Sequence, residues 1–114
     1  VMNIIGEVQG RRCILVDDIV DSAGTLCNAA VALMNEGAKD VSAYVTHGVL
    51  SGGAVARVEG SALRELVITD SIGNHAVVAD AGHIRHLTIA PLLAEALRRI
   101  DSGGSISDLL QLET

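Results

Sequence analysis

The sequence predicts an α/β domain in which a mostly parallel sheet is flanked by helices. Apolar runs of strand length alternate with segments that repeat apolar residues at helical spacing, and this alternation is typical of βαβ units. Hydrophobic residues make up 49% of the chain and are almost all aliphatic, since there is no Trp, no Phe and one Tyr. Aliphatic strands of this kind are typical of sheets buried on both faces. The 114 residues suit one domain, which we expect to span 1–114.

Four strands are predicted, with helices between them. The run CILVD at 13–17 is apolar and of strand length. Further strands are predicted at 41–46, 65–70 and 86–90. The segment after the first strand has helical spacing and stops at Gly37. A short helix capped by Ser51 follows the second strand, and Pro91 opens a helix whose last turn is basic.

The composition argues against several classes of partner. The net charge is -6 and no basic run is present, so nucleic acid is not an expected partner. No apolar stretch has the length of a membrane span, so no membrane association is expected. Cys13 and Cys27 lie in apolar surroundings without metal-ligand spacing, which favours reduced thiols in a cytoplasmic protein. The abrupt start at 1–5 suggests a piece of a longer chain.

Three of the predicted strands end in polar groups. These groups are Asp17 and Asp18, Thr46 and His47, and Asp70 and Ser71. Ligands of parallel sheets bind beyond the carboxyl ends of the strands, so we expect these ends to converge on one edge. His47, Asp70 and Ser71 are each interpreted either as neighbours of the site or as structural residues.

The segment SAGT at 22–25 has the composition of an anion cradle. It opens a helix whose first amides have no partner within the helix, and these amides favour a phosphate. Its two hydroxyls add donors, and its glycine lets the backbone approach a ligand closely. No Lys or Arg lies between Arg12 and Lys39, so backbone dipoles and hydroxyls would hold the anion.

The acids beside this cradle suggest a ligand with two chemistries. Asp17 and Asp18 end a buried strand, where carboxylates can accept hydrogen bonds from sugar hydroxyls or hold a hydrated Mg²⁺. A ribose 5-phosphate would place its phosphate in the cradle and its 2- and 3-hydroxyls over the acids. The structural alternative is that Asp21 caps the helix and the other two acids are a solvated strand end.

The string CILVDDIVDSAGTL resembles the phosphoribosyl-pyrophosphate signature of type I phosphoribosyltransferases and, more narrowly, that of the ribose-phosphate pyrophosphokinase family. Other segments are similar to that family in order and spacing: MNIIGEVQGR, YVTHGVLSGGA, ELVITDSI, LTIAPLLAEALRRI and SISDLL. The resemblance covers nearly the whole chain and the C-terminal half of the enzyme. It implies a phosphoribosyltransferase-like fold and Mg²⁺-dependent transfer of diphosphate from ATP to the C1 hydroxyl of ribose 5-phosphate.

The resemblance also implies particular site residues. The ribose 5-phosphate site would consist of Asp17, Asp18, Asp21, Ser22, Ala23, Gly24 and Thr25. Part of an allosteric site for phosphate or ADP, formed between subunits, would fall on Ser105, Ile106 and Ser107. The resemblance also implies a homo-oligomer in the full-length form, and a cytoplasmic location is expected.

The chain also departs from the family pattern. The catalytic lysine–arginine loop, the magnesium-binding histidine and most ATP contacts would precede the first residue here, so we expect the chain alone to be inactive. The region 73–83 matches loosely. Two alternatives remain: a non-catalytic phosphoribosyl-binding or regulatory subunit, and another type I phosphoribosyltransferase. The second would need a hood over the base, and none is visible.

Overall fold

A four-stranded parallel sheet forms the centre of the molecule. The structure is a computed structural model that describes residues 4–73 and 75–111, with the backbone alone at 75. The strands are β1 (Arg12–Val20), β2 (Asp40–Gly48), β3 (Leu63–Thr69) and β4 (Ile84–Leu87). The helices are α1 (Gly24–Asn35), α2 (Ala54–Glu59), α3 (His75–Val78) and α4 (Ala90–Ser102), followed by a 3₁₀ turn at Ser107–Leu110. The α/β class predicted from the sequence is confirmed.

The core lies between one face of the sheet and helices α1 to α3. Val41, Ala43 and Val45 alternate along β2 and are all nearly inaccessible to solvent. They belong to one apolar cluster with Ala30 of α1 and Val58 of α2. The period of two along the strand and the apolar stripe of the helices together produce this packing.

The opposite face of the sheet is largely uncovered, which differs from the expectation that both faces are buried. On this open face Val16 is 80% exposed, Ile14 58% and Tyr44 43%, whereas Val67 in the middle is buried. The cause is the strand order β1-β2-β3-β4, which never reverses. Crossovers between parallel strands are right-handed, so an order that runs in one direction places every connecting helix on the same face.

The predicted end of the first strand is wrong. Strand β1 continues beyond Asp17 and Asp18 to Val20, so the two acids lie within the strand and do not end it. The cause is that pairing with β2 extends to Ile19 and Val20.

Two further predicted boundaries are wrong, and each has a local cause. Ser51 does not cap α2, whose N-cap is Gly53, because the Ser51 hydroxyl donates to the Asp21 carboxylate instead. Strand β4 ends at Leu87 rather than continuing to 90. The amide of Ile89, the N-cap of α4, donates to Asp70 Oδ1 at 2.9 Å, and the chain there belongs to the start of α4.

The helix ends otherwise follow the sequence signals. Gly37 follows α1 with a φ of 93°, and its amide donates to the Met34 carbonyl at 3.0 Å. A left-handed residue of this kind is a common helix stop, and glycine adopts this conformation without strain.

Helix α4 has no buried residue, and Leu97 is 67% exposed. Within the described parts of the chain, no helix combines the length and the apolar character that crossing a membrane would require.

Candidate functional site

The turn from β1 into α1 encloses a hollow of about 210 Å³ at the carboxyl end of β1. The residues that line this cradle are Asp17, Ile19, Val20, Asp21, Ser22, Ala23, Gly24, Thr25 and Leu26. Six of the seven residues expected to bind ribose 5-phosphate therefore lie around one space. The seventh, Asp18, is exposed next to Asp17 and is not among the lining residues.

The cradle presents backbone amides without acceptors. The first α-helical bond of the turn runs from the Cys27 amide to the Ala23 carbonyl at 3.0 Å. Among residues 4–73 and 75–111, the amides of Ala23, Thr25 and Leu26 have no acceptor, and that of Gly24 has only a long contact of 3.5 Å to Ser22 Oγ. Unpartnered amides at a helix start attract anions.

Ala23 gives the cradle its shape. It is the N-cap of α1, has a φ of 69° and is buried, and no side chain caps the helix. The alternative in which Asp21 caps α1 is therefore wrong. The left-handed conformation is uncommon for a residue with a Cβ, and it persists only where surrounding contacts hold the turn.

The acids at the cradle have fixed hydrogen bonds. The Asp18 amide donates to Asp17 Oδ1 at 2.8 Å, which orients the Asp17 carboxylate. The Asp21 carboxylate accepts from the Ser51 hydroxyl. Among the described residues, no group of three acidic, histidine or cysteine side chains is arranged to hold a metal ion. Any cation at the Asp17–Asp18 pair would take most of its oxygens from water or from a ligand.

The sequence analysis missed a basic residue at this loop. Arg57 of α2 donates from Nη1 to the carbonyl oxygen of Ser22. Arg57 is distant from the loop in sequence, and the packing of α2 beside α1 brings it there. A contact from Cys27 Sγ to the Arg57 carbonyl, 3.8 Å long, lies at the same junction. No periodicity in the sequence indicates such a contact.

The other strand ends do converge, as predicted. Asp17, Thr46 and Thr69 border a second, mainly apolar hollow of about 220 Å³ over the open face. Thr69 Oγ1 donates to the Thr46 carbonyl at 2.5 Å, and His47 Nδ1 lies 2.7 Å from Ser71 Oγ.

The remaining candidates at these strand ends lie apart from the cradle. His47 and Ser71 contact each other but border neither hollow. Asp70 contributes to the start of α4 through its bond with the Ile89 amide.

The expected effector segment lies beside an ion-pair cluster on α4. Arg99 Nη1 donates to the Ser105 carbonyl at 2.9 Å, while Ser105, Ile106 and Ser107 are exposed. Glu95 Oε1 lies 2.5 Å from Arg98 Nη2 and 2.9 Å from Arg99 Nε. Hydrogen bonds from Arg98 and then Arg99 lower the pKa of the Glu95 carboxyl from 4.5 to about 2.

Comparisons with known proteins agree with this architecture. The family model described as the phosphoribosyl synthetase-associated domain matches residues 1–111. Ribose-phosphate pyrophosphokinases of Brucella melitensis and Mesorhizobium japonicum are 60% and 62% identical over 109 residues, which are 96% of this chain. The structure is similar, with a TM-score of 0.82 and 38% identity over 88% of this chain, to that of phosphoribosylpyrophosphate synthetase from Mycobacterium smegmatis.

The relatives are much longer than this chain, which spans about 35% of each pyrophosphokinase and 33% of the solved structure. The family assignment does not depend on those missing lengths, because the model match alone covers nearly every residue here. Sequence, fold and family match thus lead to the same conclusion: the chain belongs to the phosphoribosyl synthetase-associated domain family.

Proposed function

We propose that this chain is the part of a ribose-phosphate pyrophosphokinase that holds ribose 5-phosphate. One observation carries the proposal: the Asp17 carboxylate lines the same hollow as the unpartnered amides at the start of α1. A phosphate accepts from those amides, and a sugar hydroxyl donates to the carboxylate. The names of the relatives, which are pyrophosphokinases of ribose phosphate, support the same ligand.

Binding uses donors that are already in place. The left-handed residue Ala23 lies in the turn that lines the hollow, and amides of this turn have no acceptor among the described residues. Ser22 and Thr25 add hydroxyls. A ligand that meets preformed donors loses less free energy to ordering of the protein. The Asp17 carboxylate, oriented by the Asp18 amide, would then hold the ribose and direct its C1 hydroxyl away from the cradle.

Magnesium is part of the proposal as an ion shared with the ligand. Asp17 and Asp18 are adjacent exposed carboxylates that suit a hydrated cation, although they are too few to enclose one. When bound, Mg²⁺ offsets the negative charge of a diphosphate. The residues of this chain contribute oxygen ligands and the position of the sugar.

The transfer itself belongs to the longer protein in this proposal. Moving a diphosphoryl group from ATP to the C1 hydroxyl requires cations around the transferred group. This chain has a net charge of -6, and its cradle is lined by two acids and no base. We therefore expect the purified chain to form no phosphoribosyl pyrophosphate from MgATP and ribose 5-phosphate. Formation of phosphoribosyl pyrophosphate by a preparation free of host enzyme would contradict this proposal.

A non-catalytic binding subunit is the second candidate. The observation in its favour is the description of the matched family model as an associated domain. The complete coding sequence separates the two candidates, since a catalytic subunit requires the lysine–arginine loop and the histidine that the resemblance places before residue 1. Loss of those residues would favour the regulatory role. Transfer of the sugar to a base has no comparable support.

Effector binding and assembly complete the proposal. Phosphate or ADP would bind at Ser105, Ile106 and Ser107, where the Arg99 guanidinium already contacts the Ser105 carbonyl. In a homo-oligomer a neighbouring subunit would supply the rest of that site. Amide shifts at 105–107 that respond to ADP only in the assembled full-length protein would support this arrangement.

An amide-resolved titration tests the central proposal. Ribose 5-phosphate and inorganic phosphate are added separately to the ¹⁵N-labelled chain, and amide shifts are followed at residues 17–26. We expect both ligands to move the amides of Ala23, Gly24 and Thr25, and only the sugar phosphate to move those around Asp17. If neither ligand affects the cradle amides at millimolar concentration, the proposal is wrong.

A further inference from the structure

A segment distant in sequence, residues 49–57, forms hydrogen bonds with the backbone of the cradle. The chain after β2 returns to the β1–α1 turn, where the Val49 amide donates to the Val20 carbonyl at 2.9 Å. The Ser51 amide donates to the Asp21 carbonyl at 3.0 Å, and the Ser51 hydroxyl to the Asp21 carboxylate. Arg57 of α2 adds the next contact along the loop, to the Ser22 carbonyl. Three successive carbonyls of the turn therefore have donors from this one segment.

The Arg57 contact fixes the direction of the amide of Ala23, a residue that lines the hollow. A peptide unit is planar and trans, so the N–H of Ala23 points opposite to the C=O of Ser22. The guanidinium draws the Ser22 carbonyl toward α2. The Ala23 amide is thereby turned away from α2, and it has no acceptor among the described residues. The left-handed φ of Ala23 needs such an external restraint.

We propose that Arg57 is a positioning residue for the phosphate of the bound ligand. This inference rests on the proposed function of the cradle. Arg57 acts through the Ser22–Ala23 peptide: its hydrogen bond to the Ser22 carbonyl keeps the Ala23 amide aimed at the phosphate, and its charge offsets part of the repulsion from Asp17 and Asp21. Arg57 does not itself line the hollow.

Substitution of Arg57 tests this role, because the residue is exposed and its removal leaves no buried cavity. Arg57→Ala should weaken inorganic phosphate and ribose 5-phosphate equally, each by about tenfold, the effect of losing one charge-assisted hydrogen bond. Arg57→Lys keeps the charge and a donor, so its affinity should stay within about threefold of wild type. Calorimetric titration of both ligands measures these affinities.

Arg64→Ala is the matched control. Arg64 lies near Asp40, at 3.9 Å, at the opposite ends of the strands from the cradle. The control removes the same charge, so a fall in affinity through overall charge alone would appear in both variants. A residue needed only for folding would lower the melting temperature without changing the dissociation constant.

The ligand-free chain gives an independent readout. Arg57→Ala should move the Ala23 and Gly24 amide resonances, and Arg64→Ala should leave them in place. If the wild-type chain binds neither ligand, the proposed function fails, and these resonances still decide whether Arg57 orients the turn. Unchanged resonances, or unchanged affinity in Arg57→Ala beside a wild-type chain that binds, would overturn the inference. Should Arg57→Ala not fold, the same comparison is made with Arg57→Gln.

Discussion

Thr25 and Asp17 lie on the same hollow and have opposite effects on an anion. In the proposed complex the hydroxyl of Thr25 would donate to a phosphate, and the carboxylate of Asp17 would repel it. A ligand with a phosphate and neighbouring hydroxyls satisfies both residues, because each contacts a different part of the molecule. Single substitutions at the two positions should therefore change the affinities for phosphate and for sugar phosphate in different ways.

Thr25→Ala should weaken both ligands. A hydrogen bond to a charged acceptor contributes about 1.5–3 kcal/mol, so we expect a loss of at least about tenfold in affinity. Calorimetric titration with phosphate and with ribose 5-phosphate measures it. Thr25→Ser keeps the hydroxyl and serves as the control. Equal affinities for Thr25→Ala and wild type would mean that the hydroxyl does not reach the phosphate.

Asp17→Asn should separate the two ligands. Ribose 5-phosphate should bind less tightly because its hydroxyls lose a charged acceptor. Phosphate should bind as well as before or slightly more tightly, since one repelling charge is removed. Asp18→Asn is the control, because it removes the same charge from a residue that does not line the cradle. Equal weakening of both ligands by Asp17→Asn would contradict a role in recognising the sugar.

Helix α4 carries an exposed cluster whose charge state is sensitive to acid. The pKa of Glu95 is lowered to about 2 by its hydrogen bonds to Arg98 and Arg99. A carboxyl group whose pKa is lower in the folded chain than in the unfolded chain stabilises the folded chain at pH values above the unfolded pKa. This contribution should be complete above about pH 4.5 and should decline as the pH falls toward 2.

Substitution of the two arginines should raise the pKa of Glu95 toward its ordinary value. We expect the paired change Arg98→Ala with Arg99→Ala to do so, and the side-chain carboxyl shift of Glu95, followed by NMR between pH 2 and 6, reports it. Glu95→Gln identifies the resonance by removing it. A Glu95 midpoint that does not move in the paired variant would show that the arginines do not hold the carboxylate in solution.

Some elements could be predicted from the local sequence, whereas the contacts between distant elements could not. Strand β1, the cradle and α1 follow from one continuous string, because local turn chemistry and apolar spacing decide them. Contacts such as Arg57 with Ser22 and Ser51 with Asp21 depend on how α2 packs, and no local pattern encodes that. The predicted cap at Ser51 failed for the same reason. A tertiary acceptor competed with the helix for its hydroxyl.

At the scale of the whole molecule, the open face of the sheet is an exposed apolar surface. Ile14, Val16 and Tyr44 are exposed there, and β1 is also an edge strand. Apolar patches of this kind are uncommon on isolated monomers and promote association. We expect the purified chain to self-associate weakly, with an average mass that rises with concentration in sedimentation equilibrium.

A paired substitution locates that association. Ile14→Lys with Val16→Lys should restore a monomeric mass, because two charges on the open face would have to be buried in any contact. Val31→Lys with Met34→Lys adds the same charges to exposed positions of α1 and should not change the association. A wild-type chain that stays strictly monomeric at high concentration would refute the expectation.

The unreversed strand order also bears on when the site is built during synthesis. Each strand pairs with its predecessor, so every crossover closes a loop between neighbours in sequence. The cradle, the strand beside β1 and the Arg57 contact all fall within residues 12–57. Chains emerge from the ribosome amino end first and fold as they emerge. The cradle can thus form these contacts before β3 and β4 are synthesised, and a ligand bound at that stage would stabilise the partly formed sheet.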